Sequence, residues 1–145
     1  MNLTLRTDGD ECLRRRSVEV FPSIDSYIID LVESMKSIMI DNGGVGLAAP
    51  QVGHNVRVIL ILIDDKVQEM INPEVKWESP EKVIDEEGCL SIPGHYIDVE
   101  RSKEIKLKFQ TLNGKFKKWK LSGLEARVVL HEIDHLDGVL MTDYE

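Results

Sequence analysis

The feature that most constrains this 145-residue chain is the segment His131-Glu132-Ile133-Asp134-His135 near its C-terminal end. Residues four apart on a helix lie one above the other on the same face. Leu124 and Val128 continue that face upstream, so the pattern predicts a helix that turns two imidazoles toward the core. Neutral imidazoles without partners are costly there, and a metal ion held by both removes the cost. Glu132 lies about 100° around the helix from His131, where it meets a water on such an ion without being a ligand. The arrangement suits metal-assisted hydrolysis. The same residues also describe an ordinary helix with two packed histidines, and the burial cost is what favours the metal.

Such a helix has to be covered, and the rest of the chain offers mainly strands. Ser122-Gly123-Leu124-Glu125 has the form of a capping box with Ser122 as N-cap, and Gly138 marks the stop after Leu136 or Asp137. Upstream, Ile105, Leu107 and Phe109 alternate with Lys106 and Lys108. Asn113-Gly114 is a two-residue turn signal and Lys115 to Leu121 follows, which predicts a β-hairpin. Arg57 to Ile63 reads as a strand buried on both faces, turned by Asp64-Asp65, with Val67 to Ile71 returning beside it. After Pro22, the residues Ile24, Ile28, Leu31, Met35, Ile38 and Met39 recur at helical spacing with Asp25, Asp30, Glu33 and Lys36 between them. This amphipathic helix ends near Asn42-Gly43-Gly44, and Gly44 to Gly53 reads as a shaped loop. Strand and helix do not alternate as in parallel α/β chains. The expectation is a single α+β domain over residues 1–145, with antiparallel β-sheets packed around a central buried helix and an N-terminal amphipathic helix.

Composition narrows the function. A chain of this size buries about two thirds of its unfolded surface, so a metal is more useful to it for chemistry than for folding. Twenty-six acidic against 18 basic side chains give a net charge of −8, which excludes a general nucleic-acid coat protein. Two cysteines make no disulfide framework. The longest apolar run, Val58 to Ile63, is far too short to span a membrane, and the N-terminus carries no signal-peptide core. A cytoplasmic protein without membrane attachment is expected.

Two histidines need a third protein ligand. A metzincin places a histidine six residues after the second one, where Met141 stands; a gluzincin needs an acid well downstream, and the chain stops at Glu145. The ligand therefore lies upstream, among Cys12, His54, Cys89, His95 and several acids. Cys12 sits among charges, and His54 and His95 read as solvated loop histidines. Alone, Cys89 in Glu86-Glu87-Gly88-Cys89-Leu90-Ser91 would be a small buried hydrophobe. Beside the histidine pair, ligation is its better reading.

Three segments together, Gly44-Val45-Gly46-Leu47-Ala48-Ala49-Pro50-Gln51, Glu87-Gly88-Cys89-Leu90-Ser91 and His131-Glu132-Ile133-Asp134-His135, match the peptide deformylases in order and spacing. The chain resembles that family over most of its length, including Ile71-Asn72-Pro73 and, more weakly, Asp10 to Arg16. The resemblance implies removal of the formyl group from the N-terminal methionine of new polypeptides, with release of formate. It implies Cys89, His131 and His135 as ligands of one divalent metal ion, Fe(II) before Zn(II), Ni(II) or Co(II). It implies Glu132 as general base and acid, Gln51 and the Leu90 N–H as donors to the formyl oxygen, and Gly46 as a backbone contact to the peptide. A thiolate keeps such a site anionic, and fixed donors stabilise a tetrahedral oxyanion.

Val45, Leu124 and Val128 are read as a pocket for a methionine side chain, against their alternative as plain core residues. Glu87 is expected to pair with Arg101, either to tie down the Cys89 segment or as a surface contact. Tyr96 stands where some members carry arginine, and the long C-terminal helix of many bacterial members has no counterpart before Glu145. Arg101, Lys103, Lys106, Lys108, Lys115, Lys117, Lys118 and Lys120 form a basic hairpin, read either as a transient ribosome contact of a monomeric enzyme or as a solvated, aggregation-blocking edge. An endopeptidase with the same helix motif is disfavoured by Met141. A silent binding protein would have lost Glu132 or Gln51, and both are present.

Overall fold

The computed structural model describes residues 1–145. Its first helix, α1 (Ser26–Asp41), starts later than the apolar spacing suggests, at Asp25, whose carboxylate accepts the Ile28 N–H. Ile28, Leu31, Val32, Met35 and Met39 form its buried stripe. The Gly-rich stretch that follows is not only a loop. Gly46–Ala48 form a short strand, β1, and Ala49–Val52 a 3-10 turn closed by Gly53 at φ +87°. The reason is its neighbour: β2 (Val58–Ile63) offers a free ladder edge, and Gly46 pairs with Ile61 and Ala48 with Ile59.

β2 is buried on both faces only as far as Ile61; Leu62 is exposed. β3 (Lys66–Glu78) does not end at Ile71 but runs on past Pro73. A register shift between Ile71 and Glu74 absorbs the proline. There Asn72 adopts φ +51°, and its side-chain amide bonds both the N–H and the C=O of Val20. β4 (Lys82–Cys89) and β5 (Ile92–Ser102) form a separate hairpin, and β6 (Glu104–Gln110) pairs with β7 (Phe116–Ser122). The β6–β7 loop is wider than a two-residue turn. Residues 111–115 lie between the strands, where Thr111 N–H donates to Lys115 O and the Asn113 side chain accepts from Lys115 N–H.

The larger sheet has the order β1-β2-β3-β6-β7, antiparallel throughout. α1 packs on one face, with Leu47, Val58, Leu60 and Ile71 beneath it. The second helix, α2 (Gly123–Leu136), packs on the other over Ala48, Ile59, Ile61, Met70 and Phe109. This sandwiching is why β2 lacks alternation. The expected capping box at α2 is not made: Ser122 occupies the N-cap position without a side-chain bond, and Glu125 Oε2 is buried without a partner. Ser122 is also the last residue of β7, paired with Glu104, and Gly123 at φ +62° turns the chain into the helix. A third cluster joins Cys12, Leu13, Ile92, Val99, Leu140 and Met141, and ties the N-terminal segment to β5 and the C-terminal 3-10 turn Met141–Tyr144. The basic surface is narrower than the sequence count, because Arg101 is buried and Lys103 pairs with Glu81. No helix is long and apolar enough to cross a membrane.

Candidate metal centre

α2 sets His131 and His135 one turn apart, with ring centroids 5.1 Å from each other. The end of β4 brings Cys89 to them, its Sγ 3.4 Å from His135 Nε2. One donor atom from each of the three residues lies within 4.8 Å of the others. Bond lengths of about 2.3 Å to sulfur and 2.0–2.1 Å to nitrogen place ligand atoms of a tetrahedral ion about 3.3–3.6 Å apart, so the observed spacing needs little adjustment. Cys12, His54 and His95 stand in other pairings. Cys12 donates to Pro50 O at 3.2 Å, His54 bonds Tyr27 Oη at 2.6 Å, and His95 pairs with Glu145 at the surface.

His131 is oriented from behind. Its Nδ1 is 2.8 Å from Glu87 Oε1, which leaves Nε2 for the cluster. Glu87 is itself buried and accepts from Arg101 at 2.6 and 3.0 Å and from Arg127 at 2.7 Å. The Glu87–Arg101 pair is thus an internal tie, and Arg127 is a partner the sequence reading missed. Arg127 lies one turn before His131 and also donates to Val83 O and Val99 O, so it bolts α2 to the β4–β5 hairpin. Arg101 reaches on to Asp134 Oδ2 at 2.8 Å, where Tyr144 Oη also donates.

Burial works against the Glu87 carboxylate, but the bonds from His131 and Arg101 outweigh it and hold its pKa down at about 2. Burial likewise lowers His131, yet Glu132, Cys89 and Glu87 together push it up to about 10. Burial keeps His135 well below the usual histidine range and lifts Glu132 to about 7. Glu87 has its counter-charges in Arg101 and Arg127; the Cys89 thiol and the Glu132 carboxyl have no guanidinium or ammonium of their own and suit an added cation. His135 Nδ1 and Glu132 Oε1 are buried without any hydrogen-bond partner. The donor set and the orphaned Glu132 oxygen fit a divalent cation beside His135 Nε2; His135 Nδ1, on the other side of its ring, faces away from it.

Around the cluster, Gln51, in the 3-10 turn after β1, is held by the last residue of that strand. Its Oε1 accepts the Ala48 N–H at 2.9 Å, and its Nε2 donates to Ser91 Oγ at 3.1 Å and lies 3.7 Å from Cys89 Sγ. Ser91, fully buried, is a second residue whose role no sequence signal announced. Gly46 faces Glu132 so closely that a Cβ there would sit 2.5 Å from Glu132 Oε2 and 2.7 Å from Val128 Cγ1. A cleft of about 650 Å³ opens over the cluster, lined by Val45, Gly46, Gln51, Leu90, Leu124 and Val128 among others.

The sequence reading placed Leu124 on a face pointing into the core, and that is wrong. Leu124 is 67% exposed at the cleft's rim and Val128 is half-buried in its wall. The side of α2 that meets the sheet carries Ala126, Val129 and Leu130, while the histidine side looks into the cleft. Val45 and Leu124 are therefore lining residues with solvent beside them, not core.

Comparison with known proteins follows this geometry. The family model for polypeptide deformylase matches residues 3–144. The chain belongs to the polypeptide deformylase family. It is 41% identical over 143 residues to a peptide deformylase of Dictyoglomus turgidum, covering 99% of this chain and 92% of that one. Its structure is similar to that of a probable peptide deformylase from Synechococcus phage S-SSM7, with a TM-score of 0.93, 47% identity, and coverage of 99% and 100%. It is also similar to a class I type b peptide deformylase from Acinetobacter baumannii with Met-Ala-Ser bound, with a TM-score of 0.95, 32% identity, and coverage of 100% and 99%. The deformylase activity, metal-dependent hydrolysis of the N-formyl group of new polypeptides, is the activity of this chain.

Proposed function

We propose that residues 1–145 act as one catalytic domain in which Cys89, His131 and His135 hold a single divalent metal ion, Fe(II) in preference to Zn(II), Ni(II) or Co(II). The observation that carries this reading is the gathering of those three donors beside the partnerless Glu132 Oε1 in an open cleft. A thiolate with two imidazoles suits all four metals, and the family resemblance favours iron. When bound, the ion supplies Lewis-acid activation of water and of the formyl carbonyl.

The chain's own residues do the rest. Glu132 takes a proton from the attacking water at its carboxylate and returns it to the leaving amine nitrogen, general base and then general acid in one group. Gln51, its oxygen fixed by the Ala48 N–H, presents Nε2 to the formyl oxygen as negative charge grows there. The Leu90 N–H is the second donor. Gly46 offers its backbone to the peptide along β1, while its lack of a side chain leaves room for Glu132. Val45, Leu124 and Val128 receive the methionine side chain on the cleft's apolar wall. The enzyme works as a monomer in the cytoplasm on formylmethionyl nascent peptides, without membrane attachment and with a transient ribosome contact.

The test is formate release from a formyl-Met peptide after anaerobic loading with each metal in turn, beside cleavage of an unformylated peptide. Formate with no internal cleavage, highest for Fe(II), is the expected result. Cleavage of the unformylated peptide would turn the reading toward an endopeptidase. Activity and metal content untouched by Cys89→Ser would require a different third ligand.

A further inference from the structure

The outer face of β3, β6 and β7 shares no residue with the metal cleft, yet it is built in a way that folding alone does not explain. In the β6–β7 ladder Lys106 stands directly opposite Lys120, and Lys108 opposite Lys118. Like charges in direct cross-strand register are destabilising. Lys120 has Glu104 at 3.2 Å and Lys76 has Glu74 at 2.8 Å, whereas Lys106, Lys108 and Lys118 have no carboxylate within ion-pair distance. A groove of about 450 Å³ runs among Lys76, Lys106, Lys108, Lys118 and Lys120; the Trp119 ring turns to the other face, against Phe109. Lysines do protect sheet edges from pairing, and β7 is an edge strand. β6 is not: it lies between β3 and β7, and although Lys108 faces Glu74 on β3, edge protection leaves Lys106, opposite Trp77 and Lys120, unexplained.

Aromatic rings flank the lysines on the same face. Trp77 is opposite Lys106 and Phe116 is opposite Gln110. They are 39% and 65% exposed. Lys106 Nζ lies 5.3 Å from the Trp77 ring centroid and Lys108 Nζ 4.7 Å from that of Phe116. Each exposed ring thus has an ammonium next to it. Successive lysines on one strand face are about 6.8 Å apart along the chain, and neighbouring strands about 4.8 Å apart, so four ammonium groups form a small lattice between two rings. Phosphates on lysines and unstacked bases on exposed rings are how sheet surfaces take up single-stranded nucleic acid. A duplex, with its bases stacked inside, has no use for the rings.

We propose that this face binds single-stranded RNA, with Lys106, Lys108, Lys118 and Lys120 on the phosphates and Trp77 and Phe116 stacking bases. The choice of RNA rests on the deformylase activity, whose substrates are made on RNA; the charge lattice and the rings stand independently of it.

The experiment is fluorescence anisotropy of a labelled oligouridylate of about 12 nucleotides, a length such faces span, titrated with the metal-loaded full chain. It is run at about 50 and 200 mM salt, with duplex RNA and the same-sequence DNA as parallel probes. Neutralising about four phosphates of a single strand gives a slope near −2.8 in log affinity against log salt, about a 50-fold loss over that range. The variant K106Q/K108Q/K118Q/K120Q is expected to lose the binding and its salt slope. K36Q/K66Q/K82Q/K103Q, which changes net charge equally elsewhere, is expected to keep both. W77A/F116A is expected to weaken binding about tenfold or more while keeping the slope. Formate release at the wild-type rate in every variant shows that they are folded and separates this test from that of the active site. Absence of binding at low salt overturns the proposal, as does equal loss in the control variant. Equal affinity for duplex with no effect of W77A/F116A overturns it too, as a general polyanion surface, and tighter binding of DNA than of RNA overturns the choice of RNA.

Discussion

Glu132 is buried, with Oε1 free of any partner and Oε2 pressed toward β1 at Gly46. Glu132→Gln keeps the shape of the side chain but cannot accept a proton from water. Turnover should fall about 10²–10⁴-fold while metal content, measured by elemental analysis, stays near one ion per chain. Near-normal formate release from a metal-loaded variant would remove Glu132 from the chemistry. Its neighbour is just as constrained. Gly46→Ala puts a methyl where Glu132 Oε2 and Val128 Cγ1 already sit, and overpacking of this kind costs about 1–3 kcal/mol. The carboxylate has to move, so thermal denaturation and formate release should both register the change. A variant that keeps wild-type turnover would mean that β1 yields instead of Glu132.

At the scale of elements, the junction between α2 and the β4–β5 hairpin is carried by a buried charge knot, Glu87 with Arg101 and Arg127. Removing one partner of a buried ion pair typically costs about 3–5 kcal/mol. Arg127→Met should fall at the lower end, since Arg101 remains on Glu87, and urea denaturation of the metal-free chain measures it. An unchanged midpoint would make the knot dispensable. Little of this junction was legible in the sequence. The histidine pair, α1 and the β6–β7 hairpin announce themselves because their apolar residues keep the period of one element. β4 and β5 do not: Asp85, Glu86 and Glu87 succeed one another, and Glu86 even faces Asp98 across the ladder, so no alternation survives. β1 is only three residues, Gly46-Leu47-Ala48, too few to show alternation, and they become a strand because β2 has an edge to offer. Nothing in the sequence singles out Arg127, because its partners Glu87, Val83 and Val99 lie 28 to 44 residues away along the chain. Leu124 was misplaced because a helix face pointing into a cleft has the same spacing as one pointing into a core.

For the whole molecule, the two main apolar clusters lie on opposite faces of the larger sheet, and none of the three candidate ligands belongs to either. Chelation should therefore leave the chain folded, with its far-UV circular dichroism retained, while lowering its melting temperature. A ligand present at about 1,000 times its dissociation constant adds about 4 kcal/mol, which for a chain of this size is roughly 10 °C or more. Collapse of the dichroism on chelation would show that the metal is needed for the fold itself.

Cys89 and His135 are 46 residues apart along the chain, and the segment between them includes β5, β6 and β7. A loop of that length has to close before thiolate and imidazoles meet, and its closure entropy is set against the chain until the strands are in place. On the proposed ligand set, the ion is expected to join late in folding, as a clamp on the finished molecule and not a seed for it. In stopped-flow experiments, raising the metal concentration should leave the refolding rate unchanged and slow unfolding in proportion to the stability gained. Acceleration of refolding by metal would mean that the two histidines and the cysteine find one another before the sheet does.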